Sequence, residues 1–377
     1  MCIRDRKYLP VTKEGLRSLQ LLSGLWTAMA LADHPRAGDG KILALTSTTD
    51  EVLPSGVPAG STTHPRPTPS SVMHGRVVTI PPELHEPPDF ELRRFRQLEL
   101  ALEHDLSMIV ASGPTTLIVL FERLREWHGL TPRTAWPSLA LIGSFVEGPS
   151  RMYLPRLDAL SGGIAHRNIA YAASEGRFAV QLANEHSAGV LVLSEYFIEL
   201  REDGASETVR PWEAEVGKRY TPIVTTPNGL YRYDMEDTIE VVGFFERAPL
   251  VSFCHRARTV SLAGEHMTEL AVVDAMRRAT EQLRVEIFDF IAEPKWSPPA
   301  PPYYAFAIEA AQAIDTGAFE RALEDALGEV NREYADKRRW ARLGPARVSL
   351  VPKRTSDGRF KQEHLRSSVS AWRNTSS

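Results

Sequence analysis

With 377 residues, 43% of them hydrophobic and 24% charged, the chain has the make-up of a globular protein of two or three domains, not of a disordered or collagenous one. Its 44 basic and 48 acidic side chains leave a formal charge of −4, which offers no attraction to a polyanion and sets nucleic acid aside as a partner. No apolar stretch of about eighteen residues is present to span a bilayer and no signal-peptide layout opens the chain. Cys2 and Cys254 are too few for a disulfide framework, so a cytoplasmic address without membrane partners is expected.

In chain order, Met1–Arg6 reads MCIRDR, and a fluent pattern starts only at Lys7 with KYLPVT. A helix is predicted from Lys13 to Leu31, with Leu16, Leu19, Leu22 and Leu25 on one side. A start this apolar is expected to be covered, which leads to the expectation of a fragment whose upstream part is missing, with residues 1–6 non-native. A strand follows over Lys41–Thr46. The Pro/Ser/Thr/Gly region from Ser47 to about Pro88 is interrupted by the strand-like GRVVTIPPEL. Helices are then predicted over Phe90–Leu106 and Thr116–Trp127.

From Ser138 the signals alternate as in an α/β domain: LALIGSF, a helical RLDAL, the strand-like NIAYAA, then VLVLSEYFIEL. A β-rich stretch comes next, in which Asn228-Gly229 between strand-like runs predicts a hairpin. Beyond Arg256 the order is strand (ARTVSL), helix (Thr268–Gln282), strand (RVEIFDFIA), strand (YYAFAIE), helix (Ala318–Tyr334) and strand (ARVSLVP), a ferredoxin-like βαββαβ arrangement. The expected domains are therefore a large α/β one over residues 1–255 and a small α+β one over residues 256–377.

Several chemistries are set aside by motif. There is no G-x-S-x-G, H-E-x-x-H or C-x-x-C, and no G-x-G-x-x-G after a strand; the 11 histidines are scattered. Unusual polar residues gather instead at four strand ends and turns. Tyr171-Ala172-Ala173-Ser174-Glu175-Gly176 follows an apolar run, where strand ends of α/β sheets form ligand crevices; a polar turn accounts for the same residues. Its ring, hydroxyl and acid suit a base, a phosphate and a hard cation. Asp237 follows the predicted hairpin and has the acceptors to hold ribose hydroxyls, or simply closes a turn. Phe253-Cys254-His255-Arg256 lies at the domain junction, where an arginine can donate to ribose or phosphate, or bridge domains. Ser261 to Glu269, with Glu265 and His266, is a glycine turn into a helix whose first turn favours acids.

In order and spacing these four places resemble the Gretchen Hagen acyl acid amido synthetases, the auxin-responsive branch of the adenylate-forming superfamily. The most specific segment is EVGKRYTPIVTTPNGLYRYDMEDTIEVVGFFERAPLVSFCHRARTVSLAGEHMTE, and YAASEG and YFIEL are similar to further family motifs. The resemblance implies an adenylate-forming fold and a two-step ligase. A small carboxylic acid and ATP with Mg²⁺ give an acyl-adenylate and pyrophosphate, and the amine of an amino acid then displaces AMP. It also implies that Tyr171 packs on adenine, Ala173 and Phe253 line the nucleotide, and Ser174 contacts phosphate or the acyl carboxylate. Glu175 would hold Mg²⁺, Asp237 and Arg256 would bind the ribose, and the small domain would rotate about Arg256–Thr259 between half-reactions.

The departures are specific. MCIRDR stands where the family carries a Ser/Thr-Ser-Gly-Thr phosphate loop, Glu236 replaces the usual glycine before the ribose aspartate, and His266 replaces the lysine of GEK. Lys361 is the candidate for the lysine of the family's C-terminal Q-x-K segment. Two further readings share these residues: an adenylating enzyme that passes the acyl group to coenzyme A or another acceptor, and a degenerate nucleotide- or acyl-acid-binding protein without turnover.

Overall fold

The computed structural model describes residues 8–45, 51–59, 75–78, 90–184, 186–256, 259–260, 262–263, 265, 267–295, 301–339 and 341–351. MCIRDR, His266, Lys361 and the Arg256 side chain lie outside the described residues. The chain divides into two compact units, one over Tyr8–Cys254 and one beginning at His255.

The first unit starts with α1 (Lys13–Asp33), capped by the Thr12 hydroxyl, which accepts from the Gly15 N–H. Its buried side is Gly15, Ser18, Leu22, Trp26, Thr27 and Ala30, so of the predicted leucine column Leu22 is buried, while Leu16 and Leu19 are half-buried. At about 100° per residue, the step from Leu16 to Leu25 carries the side chain half-way round the helix, and Leu25 is 41% exposed. Strand β1 (Lys41–Leu45) follows, then the short pair β2 (Glu51–Val52) and β3 (Pro58–Ala59). Of GRVVTIPPEL, Gly75–Val78 is described, and Val77 bridges in parallel to Ile42 of β1.

Helix α2 (Phe90–Leu102) ends before the predicted Leu106, because LSMIVA forms β4 (Leu106–Ala111). Then come α3 (Pro114–His128), α4 (Pro132–Ala135), β5 (Leu141–Ser144), α5 (Leu154–Ser161) and β6 (Ala165–Asn168). The sheet order β1-β4-β5-β6, parallel throughout, is what connections through helices allow. Side chains alternate across it with period two. Ile42, Met108 and Leu141 are in register and pack with Leu22, Trp26 and Ala30 of α1, whereas the adjacent Leu43, Ile109 and Ile142 pack with Leu98, Leu117, Phe121 and Leu157 of the helices opposite. The sheet is therefore covered on both faces.

NIAYAA is not one strand. Ala170 takes a left-handed φ of 61°, which breaks the run into β6 and the hairpin β7 (Ala172–Ala173)–β8 (Gly176–Arg177). The strands β9 (Ala179–Val180), β10 (Gly189–Leu191), β11 (Phe197–Glu202), β12 (Thr208–Val209), β13 (Arg219–Thr225), β14 (Tyr233–Asp234), β15 (Asp237–Phe245) and β16 (Ala248–Arg256) form an eight-stranded sheet. The predicted hairpin is the antiparallel β13–β14 pair, with Asn228-Gly229 in its connection and Gly229 at φ 90°.

The second unit has the short pair β17 (Thr259–Val260) and β18 (Met267–Thr268), then α6 (Glu269–Leu283), β19 (Ile287–Lys295), β20 (Tyr303–Ala310), α7 (Thr316–Val330), α8 (Arg332–Arg339) and β21 (Arg347–Leu350). The element order is the predicted one, except that the first strand pairs with β18 and, among the described residues, the main sheet is the three-stranded β19-β20-β21. The predicted second helix breaks at Asn331, whose side chain turns away to bond the Glu265 carbonyl and the Tyr334 N–H. Alternating Tyr304, Phe306 and Ile308 of β20 are buried, as is the Phe319, Leu323 and Leu327 stripe of α7.

Candidate functional site

The C-terminal ends of β5 and β6 place the site. Beyond Ser144 the chain turns through Phe145, Val146, Glu147 and Gly148. Beyond Asn168 it passes Ile169 and Ala170 to reach Tyr171. Asn168 ties the two turns together: its Oδ1 accepts from the Val146 N–H at 3.2 Å and its Nδ2 donates to the Ser187 carbonyl at 2.7 Å.

Tyr171 is 1% exposed, and its carbonyl accepts from both the Phe178 and Ala179 N–H groups at 3.0 Å. Its hydroxyl donates to Asp237 Oδ2 at 2.8 Å. Asp237 opens β15 and is 3% exposed. A carboxylate taken this far from water needs such donors, because an unsatisfied one costs far more than the bond returns. The Tyr171 ring packs with two others. Phe253 of β16 stacks on it at 5.8 Å between centroids and 20° between planes, and Phe178 meets it at 5.6 Å. Phe145 in turn packs edge-on to Phe253 at 5.4 Å.

Phe253 is itself held by Glu147, which is fully buried. The carboxylate accepts from the Phe253 N–H at 2.9 Å, the Ser252 hydroxyl at 2.7 Å and the Ser187 hydroxyl at 3.1 Å. Burial pushes the Glu147 carboxyl above its ordinary range, against the pull of the Phe253 N–H, the two hydroxyls and the Arg151 charge. Gly148 makes this approach possible: its φ is 55°, and a Cβ there would stand 2.7 Å from the Cys254 carbonyl oxygen and 2.9 Å from the Phe253 ring.

Of the residues singled out in the sequence, the fold therefore brings Tyr171, Asp237 and Phe253 into one connected cluster. Ala173, Ser174 and Glu175 sit on the adjacent hairpin, with Ser174 exposed and Ala173 and Glu175 half-buried. Glu265 is fully buried and works within its own loop, accepting from the Leu262 and Ala263 N–H groups at 2.7 Å and from the Tyr304 hydroxyl. The first turn of α6 is instead capped by Thr268, whose hydroxyl accepts from the Ala271 N–H. Sequence reasoning missed Glu147 and Phe145. The signal that could have found them was an acid followed by glycine at the end of the apolar run LALIGSF, the same kind of position that singled out Ser174 and Glu175.

Among the described residues no group of three or more His, Cys, Asp or Glu side chains stands ready to hold a metal ion. No described helix is long and apolar enough to cross a membrane.

Comparison with known proteins gives three family matches in chain order: the GH3 family N-terminal domain over residues 4–127, the central domain over 193–256 and the C-terminal domain over 270–369. The chain is 32% identical over 171 residues to the indole-3-acetic acid-amido synthetase GH3.4 of Arabidopsis thaliana, a match covering 42% of this chain and 28% of that protein. This chain thus spans under two thirds of such relatives. In three dimensions it is similar to the GH3.15 acyl acid amido synthetase, with a TM-score of 0.80 at 18% identity over 95% of this chain and 76% of the other. It also resembles a 2-hydroxyisobutyryl-CoA ligase, with a TM-score of 0.56 at 14% identity over 92% and 70%. Both likenesses describe an adenylate-forming fold.

Proposed function

The chain belongs to the GH3 family, and on that premise we propose that it is an ATP-dependent ligase that joins a small carboxylic acid to the amine of an amino acid. In the first half-reaction a carboxylate oxygen attacks the α-phosphorus of ATP and pyrophosphate leaves, giving an acyl-adenylate. In the second the amine attacks the acyl carbon, the acyl–oxygen bond breaks, AMP leaves and the amine gives up a proton. Adenylation serves to replace a poor leaving group by a good one. The Arabidopsis relative is named for a reaction of this kind with indole-3-acetic acid, and small carboxylates of that class are the proposed acids.

The observation that carries the reading is the cluster of Tyr171, Asp237 and Phe253 beside the Ser174–Glu175 hairpin. It holds an acceptor for ribose hydroxyls, aromatic surface for a base and oxygen donors within one stretch of strand ends. Glu175 fits a hard cation by donor type, and Ser174 contacts phosphate or the acyl carboxylate. Bound Mg²⁺ would offset the charge that moves onto phosphate. In the same proposal Ala173 lines the nucleotide, Arg256 joins Asp237 at the ribose, and His266 and Lys361 serve the adenylate.

The test is acid-dependent exchange of labelled pyrophosphate into ATP over a panel of indole, phenyl and benzoic acids, followed by mass spectrometry of products formed with the twenty amino acids. Exchange together with an amide product is expected. A coenzyme A thioester in place of the amide would reassign the acceptor, and the absence of exchange with every acid would overturn the ligase reading.

A further inference from the structure

Arg177 ends the hairpin that carries Ser174 and Glu175, and its charge has only neutral neighbours. The guanidinium donates through Nη2 to the Ile169 carbonyl at 2.9 Å and through Nη1 to the Ser23 hydroxyl at 3.3 Å, and it stands 5.8 Å over the Trp26 ring. Its Nε is buried with no hydrogen-bond partner. Among the described residues no carboxylate forms an ion pair with it. Burial pulls the group down to about 10, opposed only by the Tyr196 hydroxyl. An arginine taken from water is ordinarily paired with an acid, because neutral dipoles do not offset the lost hydration of a full charge.

The group stands where α/β sheets take their ligands. Ile169 lies just beyond the C-terminal end of β6, and the hairpin that Arg177 ends begins three residues later. The side chain is held in place: Trp26 lies beneath it with its own Nε1 on the Asn168 carbonyl at 2.7 Å, and the Arg177 N–H donates to the Tyr196 hydroxyl at 3.3 Å. Arg177 is half-buried, and the setting that makes its unpaired charge costly also strengthens its pull on an incoming anion. We propose that Arg177 is a binding residue for an oxyanion of a substrate, a carboxylate or phosphate oxygen taken by the remaining N–H groups of its guanidinium. The inference rests on the ligase reading for the identity of that substrate, since the acid and the nucleotide both carry such oxygens.

The experiment is thermal unfolding of the full chain as wild type, Arg177→Met and Arg177→Lys. Each is titrated with benzoate, phenylacetate and indole-3-acetate, and separately with ATP and Mg²⁺. Methionine keeps an unbranched side chain over Trp26 without the charge. In the free protein Arg177→Met is expected to unfold at the wild-type temperature or above it, because a charge held for a substrate does not stabilise the empty site. The ligand concentration that gives half the wild-type shift should rise by about tenfold or more in Arg177→Met, the scale of one hydrogen bond to a charged group, and Arg177→Lys should recover part of it. A loss confined to the acids identifies a carboxylate as the oxyanion, and one confined to ATP identifies a phosphate; either supports the proposal. Unchanged titrations in Arg177→Met overturn it. If no probe shifts the wild type, it is the ligase reading that fails, and the free proteins then decide the role of Arg177. An Arg177→Met at or above the wild-type temperature supports a charge held for an anion, and one that unfolds several degrees lower makes the residue structural and overturns the proposal.

Discussion

At the scale of single residues, Glu236 shows how a departure in sequence can leave a conformation intact. The family resemblance marks this position as one where glycine is usual, and the backbone here keeps the shape a glycine would take, with φ at 53°. For a residue with a Cβ that region costs about 1–2 kcal/mol, while a glycine loses part of that advantage through the greater freedom of its unfolded chain. Glu236→Gly is therefore expected to raise stability by roughly 0.5–1 kcal/mol, read as a higher urea midpoint at unchanged slope. A lower midpoint would show that the Glu236 side chain offsets its own strain. The neighbouring Asp237 is legible as a candidate from its place after the hairpin. Its partner is not, because Tyr171 lies 66 residues away and no spacing rule links a hydroxyl on one strand end to a carboxylate on another. Glu147 is hidden for the same reason: its three donors come from Ser187, Ser252 and Phe253.

At the scale of elements, periodicity locates α1 and places Leu22 on its buried side, but carries the stripe on to Leu25, which is exposed. Leucines three apart drift around a helix of 3.6 residues per turn, and Trp26, rather than Leu25, is the side chain that docks. Its Nε1 donates to the Asn168 carbonyl at 2.7 Å and the Arg177 guanidinium stands 5.8 Å over its ring. This docking depends on Gly143 in β5. A Cβ there would lie 2.7 Å from Trp26 Cη2 and 3.4 Å from Val110 Cγ2. The indole is pinned at both ends and cannot yield as a flexible chain would, so Gly143→Ala should cost about 1–3 kcal/mol by overpacking. Thermal unfolding checks this, and a paired Trp26→Leu should recover part of the loss if the clash is the cause. The start of β4 reads as the tail of α2 because LSMIVA continues the apolar content without a turn signal of its own. The two-fold alternation of Met108 and Ile109 between separate cores emerges only once the parallel partners are known.

At the scale of the molecule, class and order are legible: alternating helices and strands, a β-rich middle, then a smaller α+β unit. Pairing is less so. That the run beyond Arg256 sends its first strand to β18, with Thr259 opposite Thr268 in a local antiparallel pair, depends on a strand of two residues, Met267–Thr268, which a pattern of longer elements does not mark. The division into units carries its own energetic expectation. Ile142 of β5 packs among Leu117, Phe121 and Leu157, and Ile308 of β20 is buried in the unit that begins at His255. Removing one methylene from each by Ile142→Val and Ile308→Val should cost about 0.5–1.5 kcal/mol apiece. Because each side chain belongs to a different unit, the double variant should lose the sum to within about 0.5 kcal/mol. Urea denaturation of the four proteins closes the cycle. A coupling well above that margin would mean that the two cores share a network, and that a ligand ordering one unit would be felt directly in the stability of the other.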